Sequence, residues 1–410
     1  MKIIYLIAGT FNSGGMERVL ANKVNWLAAY GCEVSIVTTD QRGRDPFFYI
    51  DSVIKHYDLG INYDKNNGQL LRKLISFPLK QWLHRRRLER LLKKIRADIV
   101  ICMFNNDVNF VYKLKDGSHK FLEVHFSKNK KLQYGRHGLW SLFDRWRTYK
   151  EEKVVQRYER FVVLTKEDKA HWEASLRSSS ARLQLKGRKN TPPSTQFPLS
   201  RLPVAFYPSR ILVIPNARTF TPSQHATLQQ KKVVAVGRYD YQKGFDTLLY
   251  IWERVKSEEL RAKSVGWTLD IVGDGPQRPE LQRQVEELGL QNSVRLLKPT
   301  DNIEEVLCSA SVLAMTSRYE GLPMVLLEAQ ACGLPIVAFA CQCGPRDIIT
   351  DGLDGYLIEN RDEAQFADHL ITLMNDEPLR QRMGAAAIKA SEHFGEERIM
   401  QQWASLFSKL

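Results

Sequence analysis

The chain has 410 residues, more than one ordinary hydrophobic core organises, and its length suits two domains of roughly 200 residues each. Apolar residues make up 43% and charged residues 26%, a globular mix that excludes a wholly disordered or fibrous chain. The formal charge of +14 is uneven, with 1–214 carrying about +20 and 215–410 about −6, so the first half is expected to meet an anionic partner.

The opening MKIIYLIAGT has a short apolar run that flows into a glycine loop, which reads as a first β-strand and not a signal peptide. Nowhere does an apolar run approach the roughly 18 residues of a membrane span. The next segment has apolar residues at 16, 19, 20, 24, 27 and 28, a helical stripe. Strands are predicted at 33–39, 98–104, 120–126 and 160–165, with a basic, partly amphipathic helix over about 69–96. The stretch 175–210 breaks the pattern. It has three consecutive serines, a proline pair, scattered cations and no acids, and is read as a mobile insertion. Strands follow at 232–237, 267–273, 294–297, 312–316, 335–339 and 355–359, with helices between them. One of these helices places Phe245, Leu248, Leu249, Trp252 and Val255 on one face. Such β-α alternation builds parallel sheets covered by helices, here two Rossmann-like domains in series. Ligands then bind at the carboxyl ends of the strands. Six scattered cysteines read as free thiols of a reducing compartment. Cys341 and Cys343 lack the second pair or nearby histidine of a zinc site.

Three motifs sit where such folds do chemistry. In GTFNSGGMER, Gly14 and Gly15 precede a helix and would let a phosphate approach backbone N–H groups, with Arg18 beside them. A glycine turn made only for packing is the competing reading. In VGRYDYQKG, a strand ends at Gly237, and Arg238 and Lys243 follow on the loop. Two cations there suit a diphosphate leaving group, although solvated surface cations are commoner. In TSRYEGLPMVLLEAQACGLPIVAF, a loop carries Glu320, Gly321 and Leu322, Pro323 opens a helix, and Gly333 closes it. Glu320 and Glu328 lie eight helical steps apart, about 12 Å. That spacing is wrong for two carboxylates flanking one glycosidic bond and suits two parts of one long ligand. Glu328 would take ribose hydroxyls and Glu320 would face a sugar, with the Gly321 and Leu322 amides at the phosphates.

With these residues in order, the chain resembles glycosyltransferase family 4, the group that includes bacterial lipopolysaccharide and exopolysaccharide enzymes. Its paired-glutamate frame appears as Glu320-Gly321-Leu322-Pro323 through Glu328-Ala329, then Ala331, Gly333, Pro335, Ile336 and Val337. The other family motifs appear as Gly237-Arg238 with Lys243-Gly244, as Val272-Gly273-Asp274-Gly275, as Gly14 to Arg18, and as Gly344 to Gly355. The stretch 175–210 has no place in the family pattern.

The resemblance implies a GT-B α/β fold, two Rossmann-like domains facing a central cleft. The acceptor domain would be 1–214 and the nucleotide-sugar domain 215–393, with a helix at 394–410 returning to the first domain. It implies retaining transfer of a hexose or N-acetylhexosamine from a nucleotide-diphosphate sugar, UDP being the commonest base. Neither a cofactor nor a metal is expected beyond that co-substrate. His125, at a strand end in LEVHFS, matches a position where such enzymes place a histidine near the donor sugar. The expected catalytic set is therefore Arg238, Lys243, Glu320 and His125. The expected binding set is Gly14, Gly15, Arg18, Gly237, Gly273, Asp274, Gly321, Leu322 and Glu328.

Cations interleave with aromatic and aliphatic residues in the first half. Arg85, Arg86, Arg87, Arg90, Lys93, Lys94 and Arg96 neighbour Trp82, Leu83, Leu88, Leu91 and Leu92. Lys128, Lys130, Lys131, Arg136, Arg145 and Arg147 neighbour Tyr134, Leu139, Trp140, Phe143 and Trp146. This pattern fits peripheral contact with an anionic membrane on its cytoplasmic face and a glycan or lipid-linked acceptor. An epimerase-like enzyme of the same fold is the nearest alternative. A nucleic-acid-binding protein is a weaker one, since no recognition-helix or zinc signature appears.

Overall fold

The computed structural model describes residues 1–66, 70–130, 138–189, 210–259 and 266–410. The chain divides into two compact units, Met1–Ile214 and Pro215–Leu410, each built on its own parallel sheet.

In the first unit the strands are β1 (Lys2–Ile7), β2 (Glu33–Thr38), β3 (Lys55–Asp58), β4 (Ile99–Cys102), β5 (His119–Glu123), β6 (Arg160–Val163) and β7 (Ile211–Val213), in the order β3-β2-β1-β4-β5-β6-β7. All neighbours are parallel. Continuous apolar runs such as Ile3–Ile7 and Ile99–Cys102 are buried along their whole length. A parallel sheet covered on both faces demands such runs. Helix α1 (Gly15–Ala29) carries the predicted stripe inward through Val19, Leu20, Val24 and Leu27. Helix α2 (Leu70–Ile95) continues through Pro78 and buries Leu88 and Leu92. Helices α3 (Leu139–Val155) and α4 (Lys166–Lys189) follow.

Two strands were not predicted, and one segment differs. β3 has the sequence KHYD, with exposed polar residues on a sheet edge, so it carries no hydrophobic signal. β7 is only three residues long. The expected insertion begins as helix, because α4 runs on to Lys189. Residues 190–209 of that stretch lie outside the described residues, as do Lys131, Tyr134 and Arg136 and the side chains of Leu139, Trp140 and Phe143.

The second unit contains β8 (Lys232–Val236), β9 (Thr268–Val272), β10 (Val294–Leu297), β11 (Val312–Met315), β12 (Ile336–Phe339) and β13 (Gly355–Ile358), ordered β10-β9-β8-β11-β12-β13 and all parallel. Its helices are α5 (Phe245–Glu259), α6 (Arg278–Glu287), α7 (Ile303–Cys308), α8 (Met324–Cys332), α9 (Pro345–Ile348), α10 (Glu363–Asn375), α11 (Glu377–Ser391) and α12 (Glu396–Phe407). The core is centred on Trp252, Leu248, Leu249 and Val255 of α5 against the sheet, each with no measurable exposure. Burying one such side chain contributes roughly 1.5–3 kcal/mol. Among the described residues no helix is long and apolar enough to cross a membrane.

In both sheets the chain reverses its winding direction beside the first strand of the unit, at β1/β4 and at β8/β11. A crevice opens at the carboxyl ends of the strands at such a point. The loops leaving β1, β8 and β11 are the three that carry the sequence motifs.

Gly244 closes the loop after β8 with φ +65°, and a Cβ there would run into the carbonyl oxygen of Thr316. We expect Gly244→Ala to cost at least about 1–2 kcal/mol from the left-handed backbone alone. Its midpoint in urea should fall without a change in slope, and an unchanged midpoint would contradict the packing described.

Candidate active site

The loop Gly237–Gly244 leaves β8 and turns back toward β11. Tyr239 anchors it. Its hydroxyl donates to the carbonyls of Ile271 (2.6 Å) and Leu297 (3.0 Å), and its amide donates to the Asp274 carbonyl at 2.9 Å. The Gly273-Asp274 turn after β9 is thereby tied to the β8 loop. The fit is close, because a Cβ on Gly273 would overlap the Gly237 carbonyl. Thus Gly237, Gly273 and Asp274 come together.

Lys243 ends the same loop and reaches across to the loop after β11. Its Nζ lies 2.7 Å from Glu320 Oε1, and Gln242 Nε2 donates to Glu320 Oε2 at 3.2 Å. Both partners of the ion pair are largely buried, with side-chain exposures of 18% and 7%. A pair so shielded is held far more firmly than a surface one, and either half alone would be an uncompensated charge. Arg238 is different. Its side chain is 72% exposed and donates to Asp240 Oδ2 at 2.7 Å, on the rim of the loop.

A second clamp joins the same two loops. Arg318 donates in fork fashion to both oxygens of Asp246 (2.9 and 2.6 Å), in the first turn of α5, and to the Tyr241 carbonyl at 2.7 Å. Burial would raise the Asp246 carboxyl, but the Arg318 bonds hold it below its ordinary value. Thr316 Oγ1 donates to the carbonyls of Lys243 and Gly244. From the loop after β12, the Gln342 carbonyl accepts the Glu320 amide at 3.3 Å.

Helix α8 then starts from Pro323 and ends at Gly333 in the left-handed conformation, as predicted. Leu322 is buried, and Gly321 precedes it. Glu328 sits in the middle of the helix with low exposure, and its Oε1 accepts from Thr219 Oγ1 at 2.6 Å. Glu320 and Glu328 therefore have different partners within the protein. Sequence reasoning missed Thr219, Tyr239, Gln242, Asp246 and Arg318. Each acts through a contact with a distant part of the chain, which motif spacing alone does not reveal.

In the first unit, Gly14 is the N-cap of α1, and the Arg18 guanidinium lies over the Phe48 ring at 4.8 Å. His125 follows β5 by two residues. Its Nε2 lies 3.0 Å from Oε1 of Glu123, the last residue of β5, and the same oxygen pairs with Lys23 of α1. Burial pushes Glu123 up, but Lys23 and then His125 outweigh it and bring the carboxyl down to about 2. Burial lowers Lys23, and Glu123 opposes that. Neither Lys23 nor Glu123 was singled out from the sequence.

This arrangement can hold an extended ligand along the carboxyl ends of β8, β9 and β11. It offers glycine-lined backbone, a cation in Lys243 and two carboxylates at different depths. Two parallel sheets, each with a motif loop at its reversal point, are the architecture of the GT-B fold. Residues 13–185 match the family described as Glycosyltransferase Family 4, and residues 217–390 match Glycosyl transferases group 1. Together these two matches cover most of the chain, which is a glycosyltransferase of the GT-B type. The amylovoran biosynthesis glycosyltransferase AmsD of Erwinia amylovora is 29% identical over 99% of both chains. The lipopolysaccharide outer core galactosyltransferase WaaB, solved without ligand, superposes with a TM-score of 0.66 at 22% identity over all of both chains. HepE from Anabaena, solved with UDP and glucose, gives 0.68 at 16% identity over all of both chains. At such identities the solved structures speak for the fold alone.

Two measurements test this electrostatic reading. Lys243→Ala should cost about 3 kcal/mol by stranding Glu320, and K243M/E320Q should cost clearly less. Denaturant midpoints that rank the other way would contradict a shielded pair. Glu123 lies below its ordinary value of 4.5, so its stabilisation is complete above that pH and is lost as pH falls toward about 2. The acid-side decline in midpoint should be shallower in Glu123→Gln.

Proposed function

We propose that this glycosyltransferase moves a hexosyl or N-acetylhexosaminyl group from a UDP-sugar, with retention and without a metal, onto a lipid-linked bacterial surface glycan. The observation that carries this reading is the Lys243–Glu320 pair, which joins the β8 and β11 loops at the reversal point of the second sheet. As the glycosidic bond breaks, negative charge grows on the leaving diphosphate. Lys243 and Arg238, with the Gly321 and Leu322 amides, are suited to stabilise it. That phosphate would accept the acceptor's proton on the same face. Glu320 would hold Lys243 and face the sugar, Glu328 would orient the ribose, and His125 would lie near the donor sugar. Gly14, Gly15 and Arg18 would contact substrate. Support for a UDP-sugar comes from HepE, which was solved with UDP and glucose. Support for a surface glycan comes from AmsD, named for amylovoran biosynthesis.

Peripheral membrane contact is part of the same proposal. Ile75, Leu79 and Trp82 form an exposed stripe on α2, and Leu142, Trp146 and Tyr149 form one on α3. Cations border both: Arg86 lies over Trp82 at 4.5 Å, Lys150 over Trp146 at 3.6 Å and Lys153 over Tyr149 at 4.5 Å. Apolar stripes edged by Lys and Arg suit an anionic lipid interface.

A panel of UDP-, GDP- and ADP-sugars tests the donor. One nucleotide should raise the melting temperature of the wild type, by the equivalent of about 2.7 kcal/mol at a hundredfold excess over Kd. Glu328→Ala should abolish that rise. A rise undiminished in the variant, or no rise with any donor, would overturn the site assignment. Binding to phosphatidylglycerol liposomes should weaken with salt and fall in W82S/W146S. Equally poor binding at every salt concentration would refute the membrane contact.

A further inference from the structure

Behind the carboxyl edge of the first sheet lies a charged group that the reaction scheme above does not use. Lys23 of α1 and Glu123 of β5 are separated by 100 residues, yet they form an ion pair with side-chain exposures of 6% and 1%. The Lys23 ammonium also lies 6.0 Å from the centre of the Tyr5 ring, whose buried hydroxyl has no hydrogen-bond partner among the described residues. Removing two charges from water costs several kcal/mol per ion before their attraction returns anything. Replacing such a buried pair by apolar side chains of the same volume is often neutral or stabilising. Fold stability alone therefore does not account for the pair.

The third member explains its place. His125 is as buried as its neighbours, and its Nε2 comes within 3.0 Å of the oxygen that Lys23 grips. Among the described residues the second carboxylate oxygen, Glu123 Oε2, is buried without a hydrogen-bond partner, so the first one carries the contacts to both Lys23 and His125. Burying a polar atom unmatched is costly, so this cluster calls for a reason beyond packing. A carboxylate beside an imidazole sets the ring's orientation and its proton-bearing nitrogen.

We propose that Glu123 and Lys23 are positioning residues for His125: Lys23 keeps the carboxylate charged and in place, and the carboxylate fixes the orientation and tautomer in which the imidazole meets the donor sugar. This rests on His125 lying near that sugar. The cluster joins α1, which the Gly14-Gly15 loop opens, to the end of β5. The first unit's two predicted site elements are thus held in one register by one buried carboxylate.

The test uses the full chain with E123Q, K23M, H125A, E123Q/H125A and K23M/E123Q. UDP release is measured with whichever donor the panel identifies. The 15N resonances of the His125 ring, assigned by their loss in H125A, are recorded without ligand. E123Q should lower kcat about a hundredfold, the usual scale for a misplaced reacting group, with little change in donor KM. It should cost nothing further in the H125A background, and it should move the His125 ring resonances. K23M leaves a buried charge unpaired and should melt early. K23M/E123Q should regain the lost stability while keeping the low turnover of E123Q.

An equal loss from E123Q with and without His125, or unmoved ring resonances, would overturn the proposal. Wild-type turnover in H125A would instead remove His125 from the donor site. The ring resonances would then still decide whether Glu123 sets the imidazole.

Discussion

The second unit depends on a bond between two loops. Lys243 and Glu320 belong to the connections after β8 and β11, strands that are adjacent in the sheet but 77 residues apart in the chain. At a reversal of winding, the helices that follow these strands leave toward opposite faces, and nothing in the sheet itself holds their loops together. The ion pair does so, and the Arg318–Asp246 fork repeats the link. Once the loops are joined, Gly244 must take the left-handed turn and Gly273 must lack a side chain, because backbone from the neighbouring loop occupies the space.

A shielded ion pair of this kind is also a store of charge for chemistry. Lys243 is already desolvated and oriented, so stabilising a developing phosphate charge would require little reorganisation. Arg238 stands apart, on the exposed rim, where solvent weakens its field. The two cations of one motif are therefore not equivalent, although their sequence context treats them alike.

The first unit uses the same physical device with a different geometry. There the buried carboxylate of Glu123 is shared between an ammonium and an imidazole, and it ties the first helix to the fifth strand. The large positive charge of this half lies elsewhere, on exposed faces of α2 and α3 beside aromatic rings. The charge asymmetry of the chain thus records a surface property, and the buried cluster is a local one.

Periodicity and apolar runs determined most strands and helices, because a parallel sheet buried on both faces leaves few other places for IIYLI, VVAV or IVIC. The paired glutamates, the glycine turns and Lys243 could be read from local spacing for a related reason, since a helix start and a strand end are local events. Chain order alone left the edge strand KHYD hidden, because an exposed edge needs no apolar residues. It also hid the extent of α4. The serines at 178–180 look like a loop, yet Ala181, Leu183 and Leu185 sustain a helix, and the first prolines come only at Pro192 and Pro193. Tertiary structure alone decided the partners: Thr219 for Glu328, Glu320 for Lys243, Asp246 for Arg318, and Lys23 and His125 for Glu123. The strength and direction of an electrostatic interaction depend on distance and burial, and neither exists until separate strands have been brought side by side.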